Sequence, residues 1–376
     1  MSAVNSVLVV GGGLAGMGVA IHLASAGVAV DLVEVDPEIS ALGSGITLQG
    51  NALRELRSLG VGDGVEKTGF GFDTAGLRAP DPAGTLLVEI PDAKTGGPDL
   101  PATFGMPRPD LARILADRAA EVGVKLRYGV TFTALSPDDS GVEVAFTDDT
   151  AARYDLVIGA DGLRSPVRHA LGIDVEPRPL GMGIWRVFGA RPDSVTRTEL
   201  YYGGPSFIAG FCPTSQDTLY AYIVEAAQDR SALSPEERLA TMRELASAYH
   251  GPWDEIRENL TDPTKVNYTR FETHVLPAPW NRDRVVLIGE AAHSCPPTLA
   301  QGGAQALEDA AVLAEVLLNH DALTQQVWDE FHARRLARAK AVVDASNQLA
   351  QWQLDHVQGD VPGLIREIAR LVSQPA

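Results

Sequence analysis

The chain has 376 residues, enough for a large core and for two or more domains. Its formal net charge of -18 at pH 7 argues against a nucleic-acid or anionic-membrane partner, because both repel a strongly acidic surface. No apolar run approaches the ~20 residues of a membrane span, and Cys212 and Cys295 form no CxxC pair, so neither a metal site nor a redox disulfide is expected.

The first residues, MSAVNSVLVVGGG, lack a basic region and a cleavage site and run straight into a strand. With two free thiols, this predicts a cytoplasmic protein. Val7–Val10 is an apolar run too short for a helix. Gly11, Gly13 and Gly16 follow with G-x-G-x-x-G spacing. The first glycine allows the tight turn, the second lets a pyrophosphate approach the backbone, and the third lets the next helix pack on the strand. That helix, Leu14 to Ala26, offers its N-terminal N–H groups to phosphates. A second apolar run, Val28–Val33, ends at Glu34, where an acidic residue is expected to meet a ribose hydroxyl. Strand, helix and acid in this order predict an adenine dinucleotide; an ordinary tight strand-to-helix turn is the plainer alternative.

Gly43-Ser44-Gly45 reads as a flexible turn, and Asn51 begins an amphipathic helix with Leu53, Leu56 and Leu59 on one face. Short strands follow between Gly69 and Ile90, interrupted by Pro80–Gly84. Asp92–Pro101 reads as a loop. Arg108 precedes a helix over Leu111–Glu121, and strands are predicted at Lys125–Tyr128, Val142–Thr147 and Leu156–Ile158. From Leu180 to Ala226 the chain becomes strand-rich and aromatic, which predicts a separate antiparallel sheet. A polar helix over Pro235–Tyr249 comes next. A buried strand returns at Arg284–Ile288, a Gly-rich turn at Gln301–Gly303 opens another helix, and a long amphipathic helix runs from Thr324 to about Leu354. Its Arg334, Arg335, Arg338 and Lys340 are expected to form a solvated basic face.

Three stretches carry a family resemblance: GGGLAG with Glu34; Asp155–Arg168 (DLVIGADGLRSPVR); and Arg284–Asp309 (RVVLIGEAAHSCPPTLAQGGAQALED). With Gly45–Asn51 (GITLQGN) and Arg108, they resemble the FAD-dependent aromatic hydroxylases of the p-hydroxybenzoate hydroxylase class, which are single-component flavoprotein monooxygenases. The third stretch is closest to hydroxylases of nitrogen heterocycles and small phenols. The resemblance implies an α/β fold. A Rossmann-like FAD-binding domain is formed by 1–70, 102–175 and 268–320. An inserted, mainly antiparallel sheet for substrate takes 71–101 and 176–267, and a C-terminal helical region takes 321–376.

The resemblance also implies cofactor contacts at Gly11, Gly13, Leu14, Ala15, Gly16, Glu34, Gly45, Arg108, Val130, Asp161, Gly162, Gly289, Glu290, Gln301, Gly302, Gly303 and Ala304. Glu290 stands where the family usually has the Asp that contacts the ribityl chain of FAD. Asp161 and Arg164 are candidates for ribose or phosphate contact, and a salt bridge is the plainer role for Arg164 and Arg168. Tightly held FAD would pair with transient NADH or NADPH, since no second G-x-G-x-x-G is present. Reduced flavin would add O2 at C4a, and the hydroperoxide would hydroxylate an electron-rich ring. Candidate substrate contacts are Gln49, Trp185, Tyr201, Phe207, Tyr220, Tyr222, Pro296 and Pro297. Arg186 is a candidate partner for a substrate carboxylate or else points to solvent. His293 is either a base near the substrate or structural. A monomer or a homodimer is expected. The alternatives are a flavin-dependent epoxidase or hydroxylase of a larger polycyclic compound, an NAD-dependent dehydrogenase, and a non-catalytic flavoprotein that sequesters an aromatic ligand.

Overall fold

The computed structural model describes residues 2–39 and 45–376, so Gly43 and Ser44 of the expected turn lie outside the described residues. The strand Ser6–Val10 pairs in parallel with Ala29–Glu34 on one side and Leu156–Gly159 on the other. Val285–Leu287 adds in parallel beyond Leu156–Gly159, Lys125–Tyr128 adds beyond Ala29–Glu34, and Asn281–Arg282 closes one edge antiparallel. Ser6–Val10 therefore has strand neighbours on both sides and helices over it. This is why its apolar residues run continuously rather than alternating.

Two helices, Leu14–Ser25 and Gly302–Asn319, lie against each other. A Cβ at Gly18 would stand 3.0 Å from that of Ala310. At the head of the first helix, a Cβ at Gly16 would stand 1.9 Å from the Gly11 carbonyl oxygen. Close approach of turn and helix depends on that missing methyl.

The second large unit is an eight-stranded sheet. Its order is His293–Ser294, Val266–Val275, Arg178–Ala190, Thr218–Ala226, Ile208–Pro213, Thr198–Tyr202, Thr74–Arg78 and Leu86–Pro91. It is antiparallel, as the aromatic stretch predicts, except that Thr198–Tyr202 runs parallel to Thr74–Arg78. One face is buried under the helices Pro235–Ala246 and Pro252–Glu258, whose Met242 and Trp253 pack with Trp185, Tyr201 and Phe211. The other face meets the nucleotide-binding side. A Cβ at Gly45 would stand 2.6 Å from that of Tyr220, and one at Gly105 would stand 2.0 Å from the Pro213 carbonyl oxygen. Gly45 and Gly105 belong to the paired strands Gly45–Gln49 and Thr103–Pro107, so these two glycines set the spacing between the two sheets.

The long helix spans Gln325–Leu354. Its apolar face is covered within the chain, by Val361–Ser373 and the turn Pro297–Leu299. The expected solvated basic face is corrected here. Arg334 and Lys340 are on the surface and pair with Glu315 and Asp344, but Arg335 is fully buried and Arg338 nearly so. Among the described residues, no helix is long and apolar enough to cross a membrane.

Gly16→Ala is expected to lower stability by about 1–3 kcal/mol through overpacking, read as a shift of the urea midpoint at unchanged slope. An unshifted midpoint would show that turn and helix can separate freely.

Candidate active site

The turn Gly11–Gly16 joins the first strand to a helix whose N-terminus has no side-chain cap and no acidic residue in its first turn. Gly11 has φ +108, and a Cβ there would lie 2.4 Å from the Ala160 carbonyl oxygen. Gly13 is different: nothing lies within 4 Å of where its Cβ would be. Open space over bare N–H groups is what a diphosphate needs. Glu34, at the end of its strand, accepts hydrogen bonds from the Gly12 N–H (2.7 Å) and the Asp36 N–H (3.0 Å). It thus braces the turn while remaining half-exposed. Val130 lies beside it, its N–H donating to the Glu34 carbonyl (3.1 Å). Arg108 is exposed at the start of the helix Arg108–Glu121, with no ion pair among the described residues.

The loop after Val285–Leu287 completes the cradle. A Cβ at Gly289 (φ +60) would lie 2.8 Å from that of Ala15, and one at Gly303 would lie 3.0 Å from the Leu14 side chain. The uncapped start of Gly302–Asn319 therefore sits beside the uncapped start of Leu14–Ser25. Gly302 faces open space, and Ala304 is buried. Ala300 turns the chain into this helix in the left-handed region, at φ +51. Glu290 is exposed. Two adjoining helix ends, an open glycine on each and an unpaired Arg108 fit a bound dinucleotide.

Several candidate side chains are committed elsewhere. Gln301 is buried, and its amide pairs reciprocally with Asn51 at 3.0 and 3.1 Å, leaving only its backbone for a cofactor. Asp161 accepts from the Val167 N–H (2.8 Å) and from the hydroxyl of Ser165, which itself caps the short helix Pro166–Ala170 by accepting from the Arg168 N–H (2.9 Å). Gly162 beside it is open, at φ +81. Arg164 forms the expected salt bridge, its Nη2 donating to both carboxylate oxygens of Glu272 at 2.7 and 2.8 Å. Arg168 does not; it is buried and donates to the carbonyls of Ala291 and Leu163.

The ring-binding candidates divide by strand parity. In register, Arg186 stands opposite Tyr222 and Phe188 opposite Tyr220, while Trp185 stands opposite Ile223. Trp185 and Tyr201 are thus corrected: both are fully buried on the helix-covered face. There the Trp185 indole donates to Glu225 (3.0 Å) and the Tyr201 hydroxyl to the His250 carbonyl (2.7 Å). Tyr220 and Tyr222 lie on the other face with ring centroids 5.2 Å apart. Arg186 joins them, its Nε donating to the Tyr220 hydroxyl at 3.3 Å. Burial keeps the Tyr222 hydroxyl well above its ordinary pKa, so it is a neutral donor. Phe207 is half-buried beside the His356 ring. Gln49 is half-buried at a strand end, Pro296 is buried and Pro297 exposed.

The sequence profile of the FAD binding domain family matches residues 5–346. The chain belongs to the FAD-dependent aromatic hydroxylases. It is 32% identical over 350 residues to a putative FAD-dependent monooxygenase, YetM, of Bacillus subtilis, covering 92% of this chain and 93% of that protein. It is 31% identical over 356 residues to a 2-heptyl-3-hydroxy-4(1H)-quinolone synthase of Pseudomonas aeruginosa, covering 93% and 90%. Its fold is that of Klebsiella pneumoniae HpxO, solved with FAD and uric acid, at TM-score 0.85, 23% identity and coverage of 98% and 97%. The chain is a flavin-dependent monooxygenase.

Behind the cradle, the hydroxylase holds a buried polar network. His293 is buried and hydrogen-bonded through Nε2 to Asp309 (2.7 Å), with its ring tilted against that of Trp280. Asp309 also accepts from the Gly289 N–H (2.8 Å) and Arg335 Nε (2.7 Å). Arg335 and Arg338 both bind Glu308, which further accepts from Asn51 (2.9 Å). Burial alone would raise the Asp309 carboxyl, but His293 and Arg335 outweigh it and hold it at about 2. His293 is thereby placed as a partner of Asp309, supporting the turn at Gly289. Sequence reasoning missed this network, although its signal is present. Phe331, Arg335, Arg338, Val342, Ala345 and Leu349 keep one unbroken 3-4 spacing, so the two arginines lie inside the apolar stripe.

Gly13→Glu is expected to yield colourless protein, since it sets bulk and negative charge at the one open position of the turn; a yellow, fully loaded variant would overturn the assignment. His274 supplies a second expectation. Burial, with Arg168 and His293 nearby, lowers it to about 4 from an unfolded value of ~6.5. Between those values the unfolded chain binds a proton that the folded chain refuses, so stability rises with pH across the window. The melting temperature should fall on acidification from pH 6.5 to 4, and His274→Gln should flatten that slope. An unchanged slope would remove His274 from the account.

Proposed function

We propose that this hydroxylase inserts one oxygen atom from O2 into a small aromatic or N-heteroaromatic ring, using NADH or NADPH as reductant. The observation that carries the reading is the junction between the two sheets. Tyr220 packs directly on Gly45; the strand begun by Gly45 leads to Asn51, and Asn51 pairs with Gln301 at the open helix end. An aromatic face with one cation, Arg186, thus adjoins the end of the cradle that suits the flavin ring. The quinolone synthase relative, named for a nitrogen heterocycle, supports the substrate class.

Bound FAD supplies the redox chemistry, accepting hydride and activating O2. The protein's residues bind and orient. Gly13 and the head of Leu14–Ser25 hold the diphosphate, and Glu34 meets the adenosine ribose. The positive end of Gly302–Asn319 would stabilise negative charge on a bound flavin. Glu290, being exposed, is free to turn toward the ribityl chain. Arg186 pairs with an anionic oxygen or carboxylate on the ring, and Tyr222 donates a hydrogen bond to it. Tyr220, Tyr222 and the Gly45 strand exclude water, which protects the activated oxygen from wasteful release as peroxide. We place the protein in the cytoplasm, as a monomer or a homodimer.

The test is NADH and NADPH oxidation by the FAD-loaded protein across hydroxybenzoates, hydroxypyridines, quinolinols and purines, with peroxide quantified. One ring compound should speed oxidation with little peroxide, and Arg186→Gln should weaken its binding about tenfold or more. Flavin that neither nicotinamide reduces, with or without any compound, would favour the sequestering flavoprotein instead.

A further inference from the structure

Strand register extends the ring-binding face well beyond Tyr222. Arg186 stands opposite Tyr222, Tyr222 opposite Gly210, Gly210 opposite Leu200, Leu200 beside Leu77, and Leu77 opposite Val88. Registered neighbours share a face. One row therefore crosses six strands, roughly 24 Å at about 4.8 Å per strand. It starts at a guanidinium and continues through an aromatic ring into aliphatic side chains.

The outer part of this row is apolar and open. Val88 and Ile90 are each 43% exposed and Tyr202 44%, while Leu77, Leu200 and Phe207 are half-buried. Tyr222 packs against both the cluster around Tyr220 and the cluster containing Ile208 and Val224, so apolar contact runs from the ring site to Leu200 and Phe207, where Ala350 and Leu354 of the long helix join it; strand register carries the row on to Leu77 and Val88. The opposite face of the same outer strands is organised otherwise. There Arg197 pairs with Glu89 and Glu199 at 3.1 Å each, and Arg78 pairs with Glu199. Charge is confined to one face; the other is a one-sided aliphatic strip that begins at the ring site.

We propose that this strip receives an aliphatic tail on the substrate. The natural substrate is then an aromatic or N-heteroaromatic ring bearing an unbranched or prenyl-like chain of several carbons. The ring sits at Arg186, Tyr220 and Tyr222, and the tail runs past the Tyr222 ring toward Leu200 and Leu77. Gly210 lets that ring lie down on the sheet beside Leu200, because a Cβ there would stand 2.7 Å from the Tyr222 ring and 3.0 Å from Leu200; the aromatic and aliphatic parts of the row thus join without a step between them. The inference rests on the ring-binding reading above and deepens it.

The experiment is a titration of the FAD-loaded protein with 2-alkylquinolin-4-ols from methyl to decyl, read as the flavin absorbance change, beside sedimentation of the same protein. The dissociation constant should tighten by up to three- to fourfold per methylene and then level off where the tail passes the edge strand. Leu77→Glu should shrink the long-to-short affinity ratio by about tenfold. A methyl compound that binds with no gain from longer tails overturns the proposal and leaves the ring site standing. A dimer that Leu77→Glu dissociates, with the tail dependence intact, overturns it in favour of a second copy on the strip. If no compound in the series perturbs the flavin, the ring site itself fails and the tail site with it.

Discussion

Arg335 and Arg338 meet Glu308 and Asp309 in the buried interior, and the geometry of the cofactor cradle depends on that meeting. Removing four charges from water costs several kcal/mol per ion, and the cost is offset only where each charge is multiply bonded. Here it is. Arg335 reaches Asp309, Glu308 and both the carbonyl and the side chain of Gln305. Arg338 reaches Glu308 and the carbonyls of Leu371, Val372 and Gln374. The arginines come from the long C-terminal helix, the acids from Gly302–Asn319, whose uncapped start lines the cradle. Asp309 passes the restraint to the Gly289 N–H, and Glu308 passes it through Asn51 to Gln301. The C-terminal helices are therefore part of the cofactor site without touching it.

The site itself is built largely from missing atoms. Gly11, Gly16 and Gly289 are pressed against backbone or side chains, whereas Gly13 and Gly302 look onto empty space. The first group brings turn, helix and loop together; the second leaves room for a ligand at two helix ends that no side chain caps. Two adjacent helix ends with free N–H groups and open space beside an opening glycine suit an anionic partner of the family's kind.

The eight-stranded sheet separates two tasks by parity. Its helix-covered face carries the largest aromatic side chains and supplies stability. The face toward the cradle carries Tyr220, Tyr222 and a single arginine, then an aliphatic strip. A register shift of one residue would exchange the two sets, so the wide pairing of Arg178–Ala190 with both of its neighbours also fixes which side chains can meet a ring.

The sequence alone determined the nucleotide-binding turn, because G-x-G-x-x-G between a strand and a helix is a local pattern whose backbone demands are met within about ten residues. It also marked Leu156–Ile158 and Arg284–Ile288 as apolar strands, and through the family resemblance it placed them in the same domain as the first strand. Tertiary structure alone decided which aromatics face the cradle. Trp185 and Arg186 are neighbours in sequence, and nothing in a single strand says which of its two faces meets the helices. It also decided that Arg335 and Arg338 are interior, because a charged side chain on an apolar stripe is buried only if carboxylates arrive from elsewhere. Glu308 and Asp309 arrive from a different helix, across contacts that no local pattern encodes.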